Sequence, residues 1–189
     1  MTEIQDWDLV KRAQNGDMRA FTQLVDRYQS AVVHFCERML GQSGPGEDLA
    51  QECFVRLYRH LHRLEPQARF TTVLFGIARN LTLNALRDAK RRGLHLSVPL
   101  DEAYTTHSSE PSPSSMAYSH ELKHLILQAL DRLRPEHKDI LLLREFEGFD
   151  YEELAQILGC KKGTIKSRLA RARECLRKEL TAIGVVPHE

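Results

Sequence analysis

The stretch "DYEELAQILGCKKGTIKSRLARARECLRKEL", Asp150 to Leu180, decides the architecture of this chain. Asp150 stands three residues before Glu153, the spacing of a capping box, and so opens a helix over "YEELAQIL" that Gly159 ends. "CKKG" turns the chain, and Thr164 is expected to cap a second helix. Two helices joined by a tight glycine-bearing turn make a helix-turn-helix. At about 100° per residue, Ile165, Leu169, Ala172 and Leu176 fall within roughly 40° of one another and form the buried stripe. Lys166, Ser167, Ala170, Arg171 and Glu174 fall opposite, with Arg168 and Arg173 at the flanks. Short or base-reading side chains at the centre and guanidinium groups at the edges suit a helix lying in a major groove. Arg171 is the expected guanine reader, with Lys166 and Ser167 next, while Thr164, Arg168 and Arg173 are expected on phosphates.

The rest of the chain fits an anionic partner through charge placement, not charge total. Its 189 residues carry a formal net charge of only +1, yet cations cluster at 87–92 and 161–178 and acids at 145–153. Cys36, Cys53, Cys160 and Cys175 form no CxxC pair, and the scattered histidines supply no second ligand pair, so the expectation is reduced thiols, no metal and no cofactor. No apolar run reaches membrane-spanning length and the acidic start is unlike a signal peptide, so a soluble, cytoplasmic protein without membrane insertion is expected.

Upstream, apolar residues recur at three and four, and no useful β-alternation interrupts them. One helix ends at Asn15-Gly16; Asp17 caps the next, over Met18–Leu40; a third runs from Glu47 or Asp48 to Leu61, and a fourth from Thr71 or Thr72 to Lys90. Composition changes at Gly93 to a Ser-, Thr- and Pro-rich segment without an apolar period, which reads as a linker. A helix over His120–Arg134 and another starting at Pro135 precede the helix-turn-helix. The expected fold is all-α: two small helical domains, 1–92 and 119–189, joined by a flexible linker, 93–118, the second domain a helix-turn-helix.

Four ordered segments then carry a resemblance. "DLVKRAQNGDMRAFTQLVDRYQ", "EDLAQECFVRLYRHL", "RFTTVLFGIARNLTLNALRDAKRR" and "LRPEHKDILLLREFEGFDYEELAQILGCKKGTIKSRLARAREC" together resemble the extracytoplasmic-function (ECF) sigma factors of the sigma-seventy family. The resemblance implies a subunit of bacterial RNA polymerase holoenzyme, with a region-two domain for core binding and minus-ten recognition and a region-four domain for minus-thirty-five recognition. Periodicity buries Leu49, Cys53, Phe54, Leu57 and Leu61 and leaves an exposed Val among charges; the resemblance assigns Asp48, Gln51, Glu52, Val55 and Arg56 to the coiled coil of the polymerase β′ subunit. Two Asn near two Arg suit unpaired base edges, with Arg79 and Arg87 on the backbone, and the resemblance assigns capture of an opened minus-ten base to Asn80 and Asn84; Phe70 is either a stacking or wedge residue or, equally, a core ring. The resemblance further implies a contact with the polymerase β flap, promoter DNA as a partner, and an anti-sigma protein. The chain departs from the family at Val73, where Trp is usual, and its loop 61–70 is poor in aromatics, which predicts limited strand opening and a strict minus-ten requirement.

Two other readings make different predictions. A core-independent helix-turn-helix regulator would bind an operator tightly as a free dimer. An enzyme would need a nucleophile or phosphate motif, and pairs such as His34 with Glu37 stand without one.

Overall fold

In the computed structural model, backbone is described for residues 2–41, 45–93 and 113–185, and side chains for 6–41, 46–93 and 122–185. Most of the expected linker lies outside the described residues. The first bundle comprises α1 (Thr2–Gln14), α2 (Met18–Leu40), α3 (Pro45–Arg59), a 3₁₀ turn (Leu61–Arg63) and α4 (Phe70–Arg91). The second comprises α5 (Pro113–Asp131), α6 (Pro135–Leu141), a π-helical turn (Leu142–Phe146), α7 (Tyr151–Leu158) and α8 (Lys162–Ala182). Among the described residues there is no strand, and two helical domains are present.

Local chemistry sets the boundaries. Asp17 accepts from the amides of Arg19 and Ala20, so two N–H groups left over at the start of α2 are satisfied; Gly41 ends the helix at φ +72°. Asp150 and Glu153 form the complete capping box of α7, and Gly159 closes it in the left-handed region. Thr164 is not the cap of α8. Lys161 occupies that position with extended backbone, because the turn after Gly159 needs only two residues, and Thr164 already sits in the first helical turn. α5 likewise starts earlier than expected, at Pro113, where a missing N–H costs no intrahelical bond.

Each bundle buries its periodic residues. Val10, Leu24, Val32, Phe35, Cys53, Leu57, Leu74 and Ala78 are fully enclosed in the first, and Ile140, Leu142, Leu143, Leu154 and Ile165 in the second. Burial pushes the Cys36 and Cys53 thiols up to about 12, which disfavours the thiolate that redox chemistry needs.

The two bundles are also docked on one another, a contact between residues too far apart in sequence for periodicity to register. The Phe75 ring meets Phe149 edge-on at 5.2 Å. One turn along α4, Arg79 Nε donates to Asp139 Oδ2 at 2.7 Å. Arg38 lies over the Phe146 ring at 4.6 Å and 3.8 Å from Glu147, and Arg69 lies 3.2 Å from Glu153. Leu83, which the helical wheel of α4 puts outside, is 9% exposed and belongs to the continuous apolar cluster.

Candidate polymerase and nucleic-acid interfaces

The α8 surface follows from where its apolar residues go. Ile165, Leu169 and Ala172 are buried against α6 and α7, which turns Lys166, Ser167, Arg168, Ala170 and Arg171 to solvent. The Ser167 hydroxyl donates to the Thr164 carbonyl, fixing it on the first turn. Among the described residues Lys166, Arg168 and Arg171 have no acidic partner, so three cations stand on one exposed face. Arg173 differs: Glu145 takes both its Nε and Nη2, at 3.1 and 2.7 Å, and this carboxylate holds the guanidinium charge more firmly still. A phosphate reaching Arg173 must therefore compete with Glu145.

A second surface forms on α3. Asp48, Gln51, Val55 and Arg56 are exposed, Val55 at 42%, and Glu52 accepts from Arg56 one turn on at 2.6 Å. Because Ala50, Leu57 and Cys53 hold the other side of α3 in the core, these residues are presented as one stripe. The stripe borders a groove of about 630 Å³ between α2 and α3, lined by Val25, Gln29, Val33 and His34 on one side and Gln51, Phe54 and Val55 on the other. Sequence reasoning missed the α2 wall. Its signal is the i, i+4, i+8 spacing of Val25, Gln29 and Val33, a single helical face. Met18 and Tyr58, both about half exposed and joined through the Tyr58 hydroxyl and the Met18 sulfur, add apolar surface on the same two helices.

A third surface lies along α4. Asn80, Asn84 and Arg87 are exposed at i, i+4 and i+7, and Arg87 donates to the Asn84 side chain at 3.1 Å. Arg79 is not with them; it points to Asp139 with its side chain only 14% exposed. Phe70 is a core residue. It is 1% exposed and enclosed by the rings of Trp7 and Tyr28, so in this arrangement no base can stack on it. The loop before α4 is braced from α1: the Trp7 indole donates to the Ala68 carbonyl at 3.0 Å, and Gln14 donates to the carbonyls of Leu61 and Leu64. Asp6, itself buried, anchors α1 by accepting from Arg27 and Tyr28; burial and that carboxylate push the Tyr28 phenol well above its ordinary value. Val73, the family's usual Trp position, is half-buried.

An isolated basic face, an exposed stripe beside a groove and a polar helix face are the three surfaces that stand out among the described residues. Comparison with known proteins says which family combines them. Residues 24–92 match the model of sigma-70 region 2, and residues 123–176 match that of sigma-70 region 4. The RNA polymerase sigma-H factor of Pseudomonas aeruginosa is 34% identical over 185 residues, covering 95% of this chain and 96% of the relative. The ECF RNA polymerase sigma-E factor of Escherichia coli K12 is 35% identical over 179 residues, with 92% and 93% covered. SigW of Bacillus subtilis, another ECF sigma factor, is 33% identical over 176 residues, with 90% and 94% covered. The chain belongs to the ECF sigma factors of the sigma-70 family. This sigma factor therefore serves transcription initiation by RNA polymerase and is not an enzyme. Its fold agrees with the sigma factor RpoE of Bartonella quintana, solved with the anti-sigma factor NepR, at a TM-score of 0.69 and 25% identity, covering 85% of this chain and 96% of that one. CnrH, solved with the cytosolic domain of CnrY, shares the fold at a TM-score of 0.69 and 24% identity, with 94% and 98% covered. No described helix of this sigma factor is long and apolar enough to cross a membrane.

Proposed function

We propose that this sigma factor works in the cytoplasm through a first domain, 1–92, a linker, 93–118, and a second domain, 119–189, each domain carrying one promoter reader. Asp48, Gln51, Glu52, Val55 and Arg56, with the neighbouring α2 groove, dock on the β′ coiled coil of core polymerase. An exposed valine among charges beside an apolar groove supports this, since such a surface gains more from a helical partner than from water. α8 lies in the major groove of the minus-thirty-five element. Arg171 reads a guanine, Lys166 and Ser167 read neighbouring edges, and Thr164, Arg168 and Arg173 hold phosphates. Asn80 and Asn84 pair with edges of the opened minus-ten strand while Arg79 and Arg87 hold its backbone; the enclosed position of Phe70 leaves the polar residues as the main readers. The second domain also meets the β flap.

Neither reader need bind tightly by itself, because polymerase tethers both and raises the effective concentration of the second once the first has bound. An anti-sigma protein is a further partner of the same surfaces; the complexes of the Bartonella quintana RpoE with NepR and of CnrH with CnrY support that expectation. The observation that carries the assignment of readers is the exposed, unpaired trio Lys166, Arg168 and Arg171 on a helix whose other face is buried through Ile165, Leu169 and Ala172, with Leu176 half-buried. Run-off transcription with purified core polymerase tests it. The expected result is promoter-specific transcript only with the sigma factor present, lost for a template with a substituted minus-thirty-five element. Tight operator binding by a free dimer, with no effect on core polymerase, would instead favour a core-independent regulator.

A further inference from the structure

We propose that Glu145 and Glu152 determine how α8 grips duplex DNA: they neutralise the edge of the helix beside α7, so that the major groove is held through the backbone of one strand and not of both. This rests on the reading of α8 as the minus-thirty-five reader proposed above, and the closing experiment tells the two apart.

The cations of α8 fall into two sets. With Ile165 at zero and about 100° per residue, Lys162 and Arg173 lie at roughly 60° and 80°, while Arg171, Thr164 and Arg168 lie at roughly 240°, 260° and 300°. The exposed centre between these edges carries the short side chains of Ser167 and Ala170. On the first edge, Glu152 of α7 accepts from Lys162 Nζ at 2.7 Å. Three turns on, roughly 16 Å along the axis, Glu145 accepts from both Nε and Nη2 of Arg173. Arg177 continues that edge at roughly 120° and is paired with Glu174 of α8 itself. Lys166, at roughly 100°, is its one cation without an acidic partner among the described residues. On the opposite edge neither Arg168 nor Arg171 has such a partner.

The chain ahead of α7 is shaped to deliver Glu145. Leu142–Phe146 form a π-helical turn, closed by the Glu147 N–H on the Leu142 carbonyl at 3.2 Å. Leu142 and Leu143 stay in the core while Glu145 turns to α8. Arg144 is held aside by the Phe149 carbonyl and the Tyr151 ring, which leaves Glu145 to Arg173. Single π turns of this kind occur mostly at functional sites.

DNA geometry gives the two edges different partners. A helix about 10–12 Å across fills a major groove about 12 Å wide, so each edge faces the phosphates of one strand. In a helix-turn-helix the first helix crosses one backbone, and here that helix is α7, which brings Glu152 with it. A phosphate approaching Lys162 or Arg173 has to displace a carboxylate, whereas one approaching Thr164 or Arg168 displaces only water. All four paired side chains are about half exposed or more, so each pair is weak. The acids therefore do not forbid contact with the second strand; they remove its advantage. Phosphate contacts attract every duplex alike, so giving up one strand's share lowers binding to bulk DNA while the base-reading centre keeps its contacts.

The double variant Glu145→Gln/Glu152→Gln keeps the shape of both side chains and removes their charge, with circular dichroism to confirm unchanged helix content. Fluorescence anisotropy of the full-length protein on a fluorescein-labelled, mixed-sequence duplex, between about 50 and about 200 mM salt, measures affinity and its salt slope. Expected are roughly fivefold tighter binding at the low-salt end and a log–log slope steeper by about 1.8, two phosphates at about 0.9 each. No gain is expected when the same two changes are made in a Lys162→Ala/Arg173→Ala background. In holoenzyme, phosphate-ethylation interference over the minus-thirty-five element should spread from one strand to both. An unchanged slope in the double Gln variant, or wild-type interference already equal on the two strands, would overturn the proposal. Arg168→Ala should flatten the wild-type slope by about 0.9. If it leaves the slope unchanged, α8 is not on the DNA and the proposed function falls, this inference with it; if it flattens the slope while the double Gln variant changes nothing, this inference alone falls.

Discussion

α8 and α4 are the two helices assigned to DNA, and the structure treats them in opposite ways. α8 buries one face in its own bundle and gives the other, with Lys166, Arg168 and Arg171, to solvent. α4 buries one face in the first bundle, and part of a second face, through Phe75 and Arg79, against the other domain, leaving Asn80, Asn84 and Arg87 outside. On the proposed assignment, the face of α8 is open to DNA in the free protein and that of α4 is partly covered. Duplex DNA offers its major-groove edges at any time, whereas unpaired minus-ten bases exist only after opening, so a reader for the latter is needed only then.

The sharpest way to break that contrast is at the seam. Phe149→Ala removes a 5%-exposed ring from both the second bundle and the Phe75 contact, and should cost about 3 kcal/mol in urea unfolding while separating the domains. A smaller effect is expected at the surface that serves both readers equally. Val55→Glu, at an exposed position, should leave the melting temperature unchanged yet weaken core polymerase binding by about 2 kcal/mol, roughly 30-fold, in a fluorescence titration. Unaltered affinity would remove α3 from the interface.

At the exposed reader, Arg171→Ala should cost about 1–3 kcal/mol and relax preference at one minus-thirty-five position, while Arg173→Ala should cost less because Glu145 already neutralises it. Electrophoretic mobility shifts of holoenzyme on single-base variants check both. At the withheld reader, Trp7→Phe keeps a ring beside Phe70 and deletes the bond to the Ala68 carbonyl. About 1 kcal/mol of stability is expected to go, with permanganate reactivity of the minus-ten region lowered and minus-thirty-five binding intact.

Acidity should bias the docking slightly. Burial pushes Glu147 up to about 7, against the pull of Arg38 on α2; Arg69 and Tyr28 of the first bundle and Glu153 of α7 border the same cleft. The docked form thus retains a proton that the parted form releases near the ordinary value of 4.5. Docking is therefore favoured at low pH and weakened as pH rises through about 7. Scattering between pH 5 and 7.5 should show expansion with rising pH, and Glu147→Gln should reduce it.

What the sequence made legible is what neighbouring residues settle among themselves. The Asp17 cap, the Asp150–Glu153 box, the exposed stripe of α3 and the two faces of α8 each depend on residues within a turn or two. Thr164 failed as a cap because a two-residue turn and a four-residue turn look alike in "CKKG". Phe70 could be a wedge or a core ring on sequence alone because the neighbours that enclose it, Trp7 and Tyr28, lie on helices far back in the chain. Arg79 passed for a free cation because its partner is 60 residues away, across a change of domain. The exposed faces could be read from periodicity; which of them another element then covers could not.

Dyes at exposed Gln23 and Lys178 would report the separation of the two domains by single-molecule energy transfer, first alone and then with core polymerase. High transfer is expected in the free sigma factor, with a shift to low transfer when polymerase and promoter bind. High transfer that persists in an active promoter complex would contradict it.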